Sequence, residues 1–358
     1  MKVRLSDIAK LLNMDKGSIS RILHGGKQAE KYAEETRRKV HAAALKMGYR
    51  RDDMAAAIST GRINASGFLG NGNNEYCSKL LMALLDGSSE FGHLIKPMYF
   101  NALTQTSEIV DFCIRQRLVA LTVFSFIANA EVLRKKLGEH GILLLIAGPR
   151  LAEQDANTLE IDNYGSGCKA FQYLYNLGHR SFAFLGGKVH SMPFPEAFEW
   201  SDMREKGFLK TAADAGIAIL EKNIIRTDLL YDEHVMKKKG AVKRFFTSGK
   251  APTAVFAVND HLAMNIQMRL MEAGLKIPDD VSVLGCGNAR FSFATYPRLS
   301  TISDPMDEIG ACAIGLIRKH YEEGNVPGHG IHKRFDSHIM EFNSTGKPKC
   351  NIGKEISI

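Results

Sequence analysis

Apolar residues near the start of the chain recur three or four positions apart in 5–12, 16–23 and 34–47, which predicts three helices. The break between the first two segments is only three residues long. Asn13 tolerates the left-handed backbone of a tight turn, and Asp15 is a favourable N-cap for the next helix. Two short helices joined by such a turn are typical of a helix-turn-helix.

The second predicted helix has an apolar face and a polar face. Its inward residues are Ile19, Ile22 and Leu23. Its outward residues are Lys16, Gly17, Ser20 and Arg21. Long basic side chains on such a helix can reach guanine O6 and N7 in a major groove, and the hydroxyls of Ser18 and Ser20 suit phosphates. The polar face therefore favours contact with DNA.

Beyond residue 62 the pattern changes to short apolar runs that alternate with amphipathic segments. Strands are predicted at 66–69, 94–100, 119–125, 142–147, 181–185, 254–257 and 281–284. Helices are predicted at 77–90, 105–116, 130–139, 165–177, 205–216, 232–248, 260–273 and 306–323. This alternation is typical of parallel sheets covered by helices, and so many units exceed one core. The predicted fold is an all-α helix-turn-helix head followed by an α/β body of two lobes with parallel sheets.

The same shifts of pattern divide the chain. We expect a DNA-binding head at 1–50, a hinge or linker at 51–62, a body at 63–345 and a tail at 346–358. We expect the first lobe to comprise about 63–162 and 292–325, and the second to comprise 163–291 and 326–345. The sequence after Glu341 has no leucine heptads, which argues against an additional coiled-coil helix.

Positive charge is concentrated in the N-terminal sixth of the chain. Residues 1–62 hold 14 Lys and Arg against 7 Asp and Glu, a net charge of +7, whereas the other 296 residues hold 33 against 32. A basic module on a near-neutral body is the footprint of nucleic-acid binding. A solvated basic face without a partner would carry the same charge, so the helix pattern decides between the two.

The overall composition is that of a soluble globular protein, with 45% hydrophobic and 24% charged residues. No apolar run approaches the roughly 18 residues that a membrane helix needs. Polar residues are interspersed from Lys2 onwards and the N-terminus has no apolar signal-peptide stretch, so we expect a cytoplasmic protein without membrane contact. Six Cys without a C-x-x-C pair predict reduced, mostly buried thiols.

The head resembles that of a known protein family. The strings LSDIAK at 5–10, SISRILHG at 18–25, ETRRKV at 35–40 and GYR at 48–50 are similar to the head of the lac repressor family of bacterial transcription regulators. The resemblance implies that Lys16, Gly17 and Arg21 occupy the base-reading positions. Since Gly17 has no side chain, Lys16 and Arg21 would make most of the direct contacts. It also implies a homodimer on double-stranded operator DNA.

The linker contains an apolar residue at the end of an Ala-rich segment. The resemblance implies that 51–62 folds on operator DNA and that Ile58 wedges into the minor groove and kinks it. Arg51 and Ala56 replace residues common in the family, a Pro and a basic residue. The alternative is a plain tether, with Ile58 packed against the body.

The body shows the same resemblance as far as about Thr345. It is carried by DNYG at 162–165, LGHRSFAFLGG at 177–187, REKGF at 204–208 and the segments 252–264 and 278–285. It implies a periplasmic-binding-protein-like body that senses a small molecule, often a sugar or a nucleobase. Arg204 and Asp260 match effector-binding positions, where a guanidinium and a carboxylate suit hydroxyl groups. The alternative for each is a surface or inter-lobe ion pair.

Two cleft loops depart from the family pattern. Asn74-Glu-Tyr76 stands where relatives often have Asn-Pro-Phe, and Gly287 followed by Asn288 stands where an Asp is usual. We expect Asn74, Tyr76 and Asn288 to line the effector cleft. Trp200 lies one helical turn before Arg204 and is expected in the core rather than stacked on a sugar ring.

No chemical motif of an enzyme stands out. Gly70-Asn-Gly72 lacks the third Gly of a dinucleotide fingerprint, and 165–167 is not a nucleophile elbow. His329 and His332 have no Cys or acid at ligand spacing, so we expect no metal, cofactor or catalytic residue. The favoured function is a DNA-binding regulator, expected to repress, whose partners are operator DNA and a small polar effector such as a sugar or sugar derivative. The alternatives are a small-molecule binding protein without DNA function and an α/β enzyme.

Overall fold

The computed structural model describes residues 3–24, 29–50, 63–70, 75–99, 104–124, 130–148, 156–188, 199–228, 241–248, 251–324 and 326–349. The chain divides into two compact units, Met1–Ile63 and Asn64–Ile358. The predicted linker with Ile58 lies outside the described residues, as do Asn74 and the tail from residue 350.

The head consists of three helices around a small apolar core. They are α1 (Leu5–Leu12), α2 (Lys16–His24) and α3 (Glu34–Lys46), in the places that the apolar spacing predicts. Six apolar side chains from these helices are buried together, namely Ile8, Ile19, Ile22, Val40, Ala43 and Ala44. Gly48 follows α3 with φ +68°, a conformation that glycine adopts without steric cost.

The turn between α1 and α2 depends on the polar residues at its two ends. Asn13 has φ 49° and ψ 47°, the left-handed conformation expected of it. The Asp15 Oδ2 atom accepts a hydrogen bond of 2.9 Å from the backbone N–H of Ser18. Asp15 thereby satisfies a backbone donor at the start of α2, as a capping residue does.

The first lobe is a six-stranded sheet in which every pairing is parallel. Its elements are β1 (Ala65–Gly70), α4 (Glu75–Ser89), β2 (Leu94–Tyr99), α5 (Thr106–Arg115), β3 (Ala120–Phe124), α6 (Ala130–Glu139), β4 (Leu143–Gly148) and β5 (Asn157–Ile161), joined later in the chain by α11 (Met306–Glu323) and β11 (His332–Phe335). The strand order is β11-β5-β4-β3-β1-β2.

The second lobe is also a six-stranded sheet. Its elements are α7 (Asn163–Asn176), β6 (Phe182–Lys188), α8 (Glu199–Asp214), β7 (Ile224–Asp228), α9 (Ala241–Thr247), β8 (Ala254–Ala257), α10 (Asp260–Glu272), β9 (Ser282–Cys286), β10 (Ser300–Ser303) and β12 (His338–Met340). The order is β12-β10-β9-β8-β6-β7, and the pairing of β10 with β12 is the one antiparallel pairing among the described strands. The predicted class, two α/β lobes with parallel sheets, is confirmed.

Five strands were not predicted, because their sequences carry few apolar residues. All five lie at or next to the edges of the two sheets, and all are short; they are β5, β7, β10, β11 and β12. By contrast, β3 and β4 in the middle of the first sheet are buried along their whole length. Strands covered on both faces are typically apolar, whereas an edge strand can keep polar residues. The strand β10 is buried along its length although it is polar, because its Ser and Thr side chains are hydrogen-bonded within the protein.

The division of the C-terminal third between the lobes differs from the expectation. Residues 292–303 stay in the second lobe, because β10 pairs in parallel with β9, and β11 belongs to the first lobe, because it pairs with β5. The expected assignment of 292–325 to the first lobe and 326–345 to the second is therefore wrong for 292–303 and for β11, whereas β12 lies in the second lobe as expected. The polar sequence of β10, Ser-Thr-Ile-Ser, gave no apolar signal of a strand.

The chain passes between the lobes at three crossovers. They lie at 161–163, between β5 and α7; at 303–306, between β10 and α11; and at 335–338, between β11 and β12. At the third, Ser166 Oγ donates to Ser337 Oγ at 2.9 Å, and Lys169 Nζ donates to the Ser337 carbonyl at 2.8 Å. The described hydrogen bonds thus fasten the start of α7 to a neighbouring crossover.

Two glycines allow α7 and α8 to approach closely. A Cβ atom at Gly167 would lie 2.1 Å from the Arg204 carbonyl oxygen, and one at Gly207 would lie 2.1 Å from the Tyr164 carbonyl oxygen. Real Cβ atoms do not reach such distances, so both positions require glycine. The close contact places the side chain of Arg204 beside the first crossover.

Candidate functional site

The polar face of α2 is presented to solvent. Ile19 and Ile22 are fully buried and hold the helix against α1 and α3. Lys16, Gly17, Ser20 and Arg21 are exposed. The two faces therefore fall where the sequence placed them.

Arg21 is held loosely along α2. Its Nε atom donates to the Gly17 carbonyl at 3.1 Å, and its Nη2 atom lies 4.0 Å from Asp15 Oδ2. The side chain is 51% exposed, so both contacts are easily exchanged for DNA contacts. Ser18 is half-buried, and its Oγ accepts a hydrogen bond of 3.2 Å from the Tyr32 hydroxyl. Ser18 therefore has a structural partner that sequence reasoning did not identify.

In the body, Arg204 is a buried cation whose N–H groups donate hydrogen bonds to residues in three separate segments of the chain. Its Nε donates to Asn163 Oδ1 at 2.9 Å, and its Nη1 donates to the Val258 carbonyl at 2.9 Å. Its Nη2 donates to both carboxylate oxygens of Asp304, at 3.0 and 3.2 Å. Because Asn163 and Asp304 lie at two different crossovers, Arg204 links two of the three connections between the lobes.

The ion pair with Asp304 determines the electrostatics of Arg204. Burial by itself lowers the pKa of the Arg204 guanidinium, but the adjacent Asp304 carboxylate raises that pKa above its usual range. Sequence reasoning missed both Asp304 and Asn163. Asp304 follows β10 directly, and ligands of such α/β folds bind at the carboxyl ends of the strands, so recognition of β10 would have made Asp304 a candidate.

Asp260 is fully buried at the start of α10. Its Oδ1 atom accepts from the Thr301 hydroxyl at 2.6 Å, and its Oδ2 atom accepts from the backbone N–H of Ala289 at 2.5 Å. Burial raises its pKa to about 6, although these two hydrogen bonds oppose the shift. The role of Asp260 as an acceptor for effector hydroxyls stays a prediction. In that role, a ligand hydroxyl would have to replace one of these two donors.

Asn288 belongs to the same polar network. Its backbone N–H donates to Thr301 Oγ1 at 3.2 Å, and its side-chain amide donates to Ser303 Oγ at 3.3 Å. Thr301 in turn donates to Asp260, so Asp260 positions the loop that carries Asn288. Asn288 has φ 53°, a left-handed conformation that Asn accepts.

Tyr76 reaches this network from the first lobe. Burial raises the pKa of its hydroxyl well above the usual range, and the carboxylates of Asp260 and Asp304 raise it further. The structure therefore brings together four of the five predicted effector residues, Tyr76, Arg204, Asp260 and Asn288, while Asn74 lies outside the described residues. Trp200 is half-buried against the core of the second lobe, and its ring centroid lies 5.1 Å from the Arg204 guanidinium carbon.

The described residues contain no group of three His, Cys, Asp or Glu side chains that could hold a metal ion. Burial raises the pKa of the Cys113 thiol to about 12 and that of Cys77 to about 11, so both thiols stay protonated. No helix in the described part of the chain combines the length and apolar character that a membrane crossing requires.

Comparison with known proteins finds likeness along the whole chain. Residues 171–334 match the periplasmic binding protein-like domain. The chain is 22% identical over 357 residues to catabolite control protein A of Priestia megaterium, covering 97% of this chain and 100% of that protein.

Two solved structures share the fold. A lac repressor dimer bound to operator and the anti-inducer ONPF matches with a TM-score of 0.69 at 18% identity, covering 97% of this chain and 100% of that one. The transcriptional regulator CelR in complex with cellobiose matches with a TM-score of 0.64 at 20% identity, covering 96% and 100%.

A helix-turn-helix head and a two-lobed periplasmic-binding-protein-like body together form the architecture of the chain. The resemblance to the lac repressor family of bacterial transcription regulators, first visible in the motifs of the head, is confirmed.

Proposed function

We propose that the chain is a sequence-specific DNA-binding transcription regulator that acts as a repressor and responds to a small polar effector. The observation that carries the proposal is α2, in which buried Ile19 and Ile22 fix the helix while its basic face is exposed. The net charge of +7 on residues 1–62 supplies the sequence-independent attraction to phosphates.

DNA recognition follows from the residues on that face. Lys16 and Arg21 contact base edges in the major groove, Ser18 and Ser20 contact phosphates, and Gly17 adds no side chain. The protein acts as a homodimer on a near-palindromic operator, because a two-fold dimer presents one head to each half-site. The lac repressor structure that shares its fold is itself a dimer bound to operator. Ile58 wedges into the minor groove between the half-sites.

The effector binds between the lobes, near Tyr76, Arg204, Asp260 and Asn288, and Asn74 is a further contact. Since Asp304 neutralises the charge of Arg204 at 3.0 Å, the site favours an uncharged molecule with several hydroxyl groups over an anion. A sugar or sugar derivative has this chemistry, and cellobiose is the ligand in the CelR complex.

The crossovers provide a route from effector to operator. Arg204 is bonded to Asn163 at one crossover and to Asp304 at another, so a ligand that draws on its donors changes the bonding at both. A ligand changes DNA affinity only if it binds one relative orientation of the lobes better than the other. The protein works in the cytoplasm, where operator DNA is found, and it catalyses no reaction.

The test is retention of genomic DNA fragments by the purified full-length protein, followed by sequencing and mobility-shift titration. We expect a near-palindromic site whose affinity falls steeply with salt. Arg21→Ala should weaken operator binding by about 1–3 kcal/mol and relax the base preference. Lys136→Ala, which removes an exposed positive charge from α6 in the body, is the matched control and should bind as the wild type does.

A footprint on one half-site only, or an unchanged base preference in Arg21→Ala, would contradict this function. Absence of DNA retention together with binding of a sugar would favour the alternative, a small-molecule binding protein without DNA function.

A further inference from the structure

The first turn of α4 in the first lobe rests on the loop after β9 in the second. The Lys79 ammonium group donates to the Gly287 carbonyl at 3.1 Å and also to the Asn288 carbonyl. The Glu75 carboxylate accepts a hydrogen bond from the backbone N–H of Arg290. Two side chains of opposite charge on one helical turn therefore bind backbone groups of the opposite lobe.

Between these two charged residues, the ring of Tyr76 lies directly on Gly287. A Cβ atom at Gly287 would lie 2.3 Å from the ring Cε1 and 2.5 Å from the hydroxyl oxygen, so the ring excludes any side chain there. Gly287 also has φ +117°, which side chains rarely adopt. The contact thus requires both an aromatic ring at 76 and a glycine at 287.

The contact between Tyr76 and Gly287 lies in the cleft between the lobes, where the proposed function puts the effector. The family pattern would put a carboxylate at 287, but here Arg204 takes its counter-ion from Asp304, which directly follows the neighbouring strand β10. The protein itself therefore supplies the counter-ion of Arg204 and fills the space above Gly287.

We propose that Tyr76, flanked by Glu75 and Lys79, is an internal latch that holds the two lobes closed in the absence of effector. The inference rests on the proposed effector cleft. It adds that a ligand entering beside Gly287 must lift the ring, so that the ligand-driven change is release of the latch rather than closure. Variants without the latch populate the released state in the absence of ligand.

Neighbouring backbone amides provide a reporter and its internal control. The Arg290 N–H is bonded across the lobes to Glu75, whereas the Ala289 N–H is bonded to Asp260 within the second lobe. Hydrogen exchange resolved to single residues, on the ligand-free full-length protein, measures the two separately. In the wild type both amides should exchange slowly.

Loss of the latch should accelerate hydrogen exchange at the Arg290 amide but not at the Ala289 amide. Tyr76→Ala and Lys79→Met should each accelerate exchange at Arg290 by about tenfold or more, while Ala289 and the amides of β8 stay slow. Tyr76→Phe keeps the ring on Gly287 and should leave Arg290 slow.

Fast exchange at Arg290 in the wild type would overturn the proposal, and so would slow exchange at Arg290 in both variants. If Tyr76→Ala also accelerates exchange of the β8 amides, that variant has lost the fold of the second lobe. Lys79→Met is then the test of the latch, and slow exchange at Arg290 in that variant would overturn the proposal. Because no DNA or effector enters this measurement, failure of the latch is distinguishable from failure of the proposed function, which the mobility shift reports.

Discussion

Arg204 and Asp304 form a buried ion pair, in which a single guanidinium nitrogen, Nη2, lies 3.0 and 3.2 Å from the two carboxylate oxygens. Each side chain is only 5% exposed. Water screens such a pair little, but each charge has lost its hydration, so the pair is favourable only while both partners are present. The pair joins α8 to the crossover between β10 and α11.

Removing one partner of this pair should be strongly destabilising. Asp304→Ala leaves Arg204 buried without its counter-ion, and we expect the free energy of unfolding in urea to fall by about 3–5 kcal/mol. The double variant Arg204→Met with Asp304→Leu leaves no unpaired charge. Its loss in free energy of unfolding should therefore be smaller than the sum of the losses caused by Arg204→Met alone and Asp304→Leu alone. Asp214→Ala, which breaks the exposed pair with Lys210, is the control and should leave stability within experimental error. Additive losses would show that the two side chains are not coupled.

The contact between α7 and α8 should not tolerate a methyl group. Gly207→Ala would press a Cβ atom against the Tyr164 carbonyl, and we expect a loss of about 1–3 kcal/mol in chemical denaturation. Gly138→Ala in α6 meets nothing within 4 Å and should raise stability by about 0.5–1 kcal/mol, because alanine favours helix. Equal effects of the two changes would refute the close approach.

Acid should destabilise the body through His93. This side chain is 4% exposed, its Nδ1 lies 2.6 Å from Asn64 Oδ1 and its Nε2 lies 3.0 Å from Ser66 Oγ. Burial lowers its pKa to about 4, from 6.5 in the unfolded chain. Between these two values the unfolded state binds the proton and the folded state does not, so stability is present above pH 6.5 and is lost as pH falls towards 4.

The size of this effect is about 3 kcal/mol over that range. It is measured as the free energy of unfolding against pH for the wild type and for His93→Gln, which has no proton to take up. The variant should show a shallower decline between pH 6.5 and 4, and parallel curves would exclude His93 as the cause.

Ile58 provides a test of DNA bending. If it wedges into the minor groove, operator DNA bends on binding, and Ile58→Gly should remove most of the bend while the body keeps its thermal stability. Ile58→Leu keeps an apolar wedge and should bend DNA as the wild type does. A permuted-site gel measures the bend, and equal mobility of the wild-type and glycine complexes would support the plain tether instead.

The sequence determined the local structure of the head and the central strands of the body. The spacing of Ile8, Ile19 and Ile22 predicted which helix faces are buried, because apolar periodicity follows directly from helix geometry. Asn13 and Asp15 predicted the turn, because their side chains act on the adjacent backbone. Fully apolar strands such as β4 were also visible, since burial on both faces leaves no polar position.

Only the tertiary structure decided which distant residues meet. Asp304 pairs with Arg204 because β10, whose polar sequence resembles a loop, aligns with β9 and directs its end towards α8. Tyr76 rests on Gly287 because the lobes bring together the first turn of α4 and the loop after β9, which are more than 200 residues apart in the chain. Such contacts depend on strand order and crossovers, which are set by the packing of the whole body, and no local pattern of apolar and polar residues encodes them.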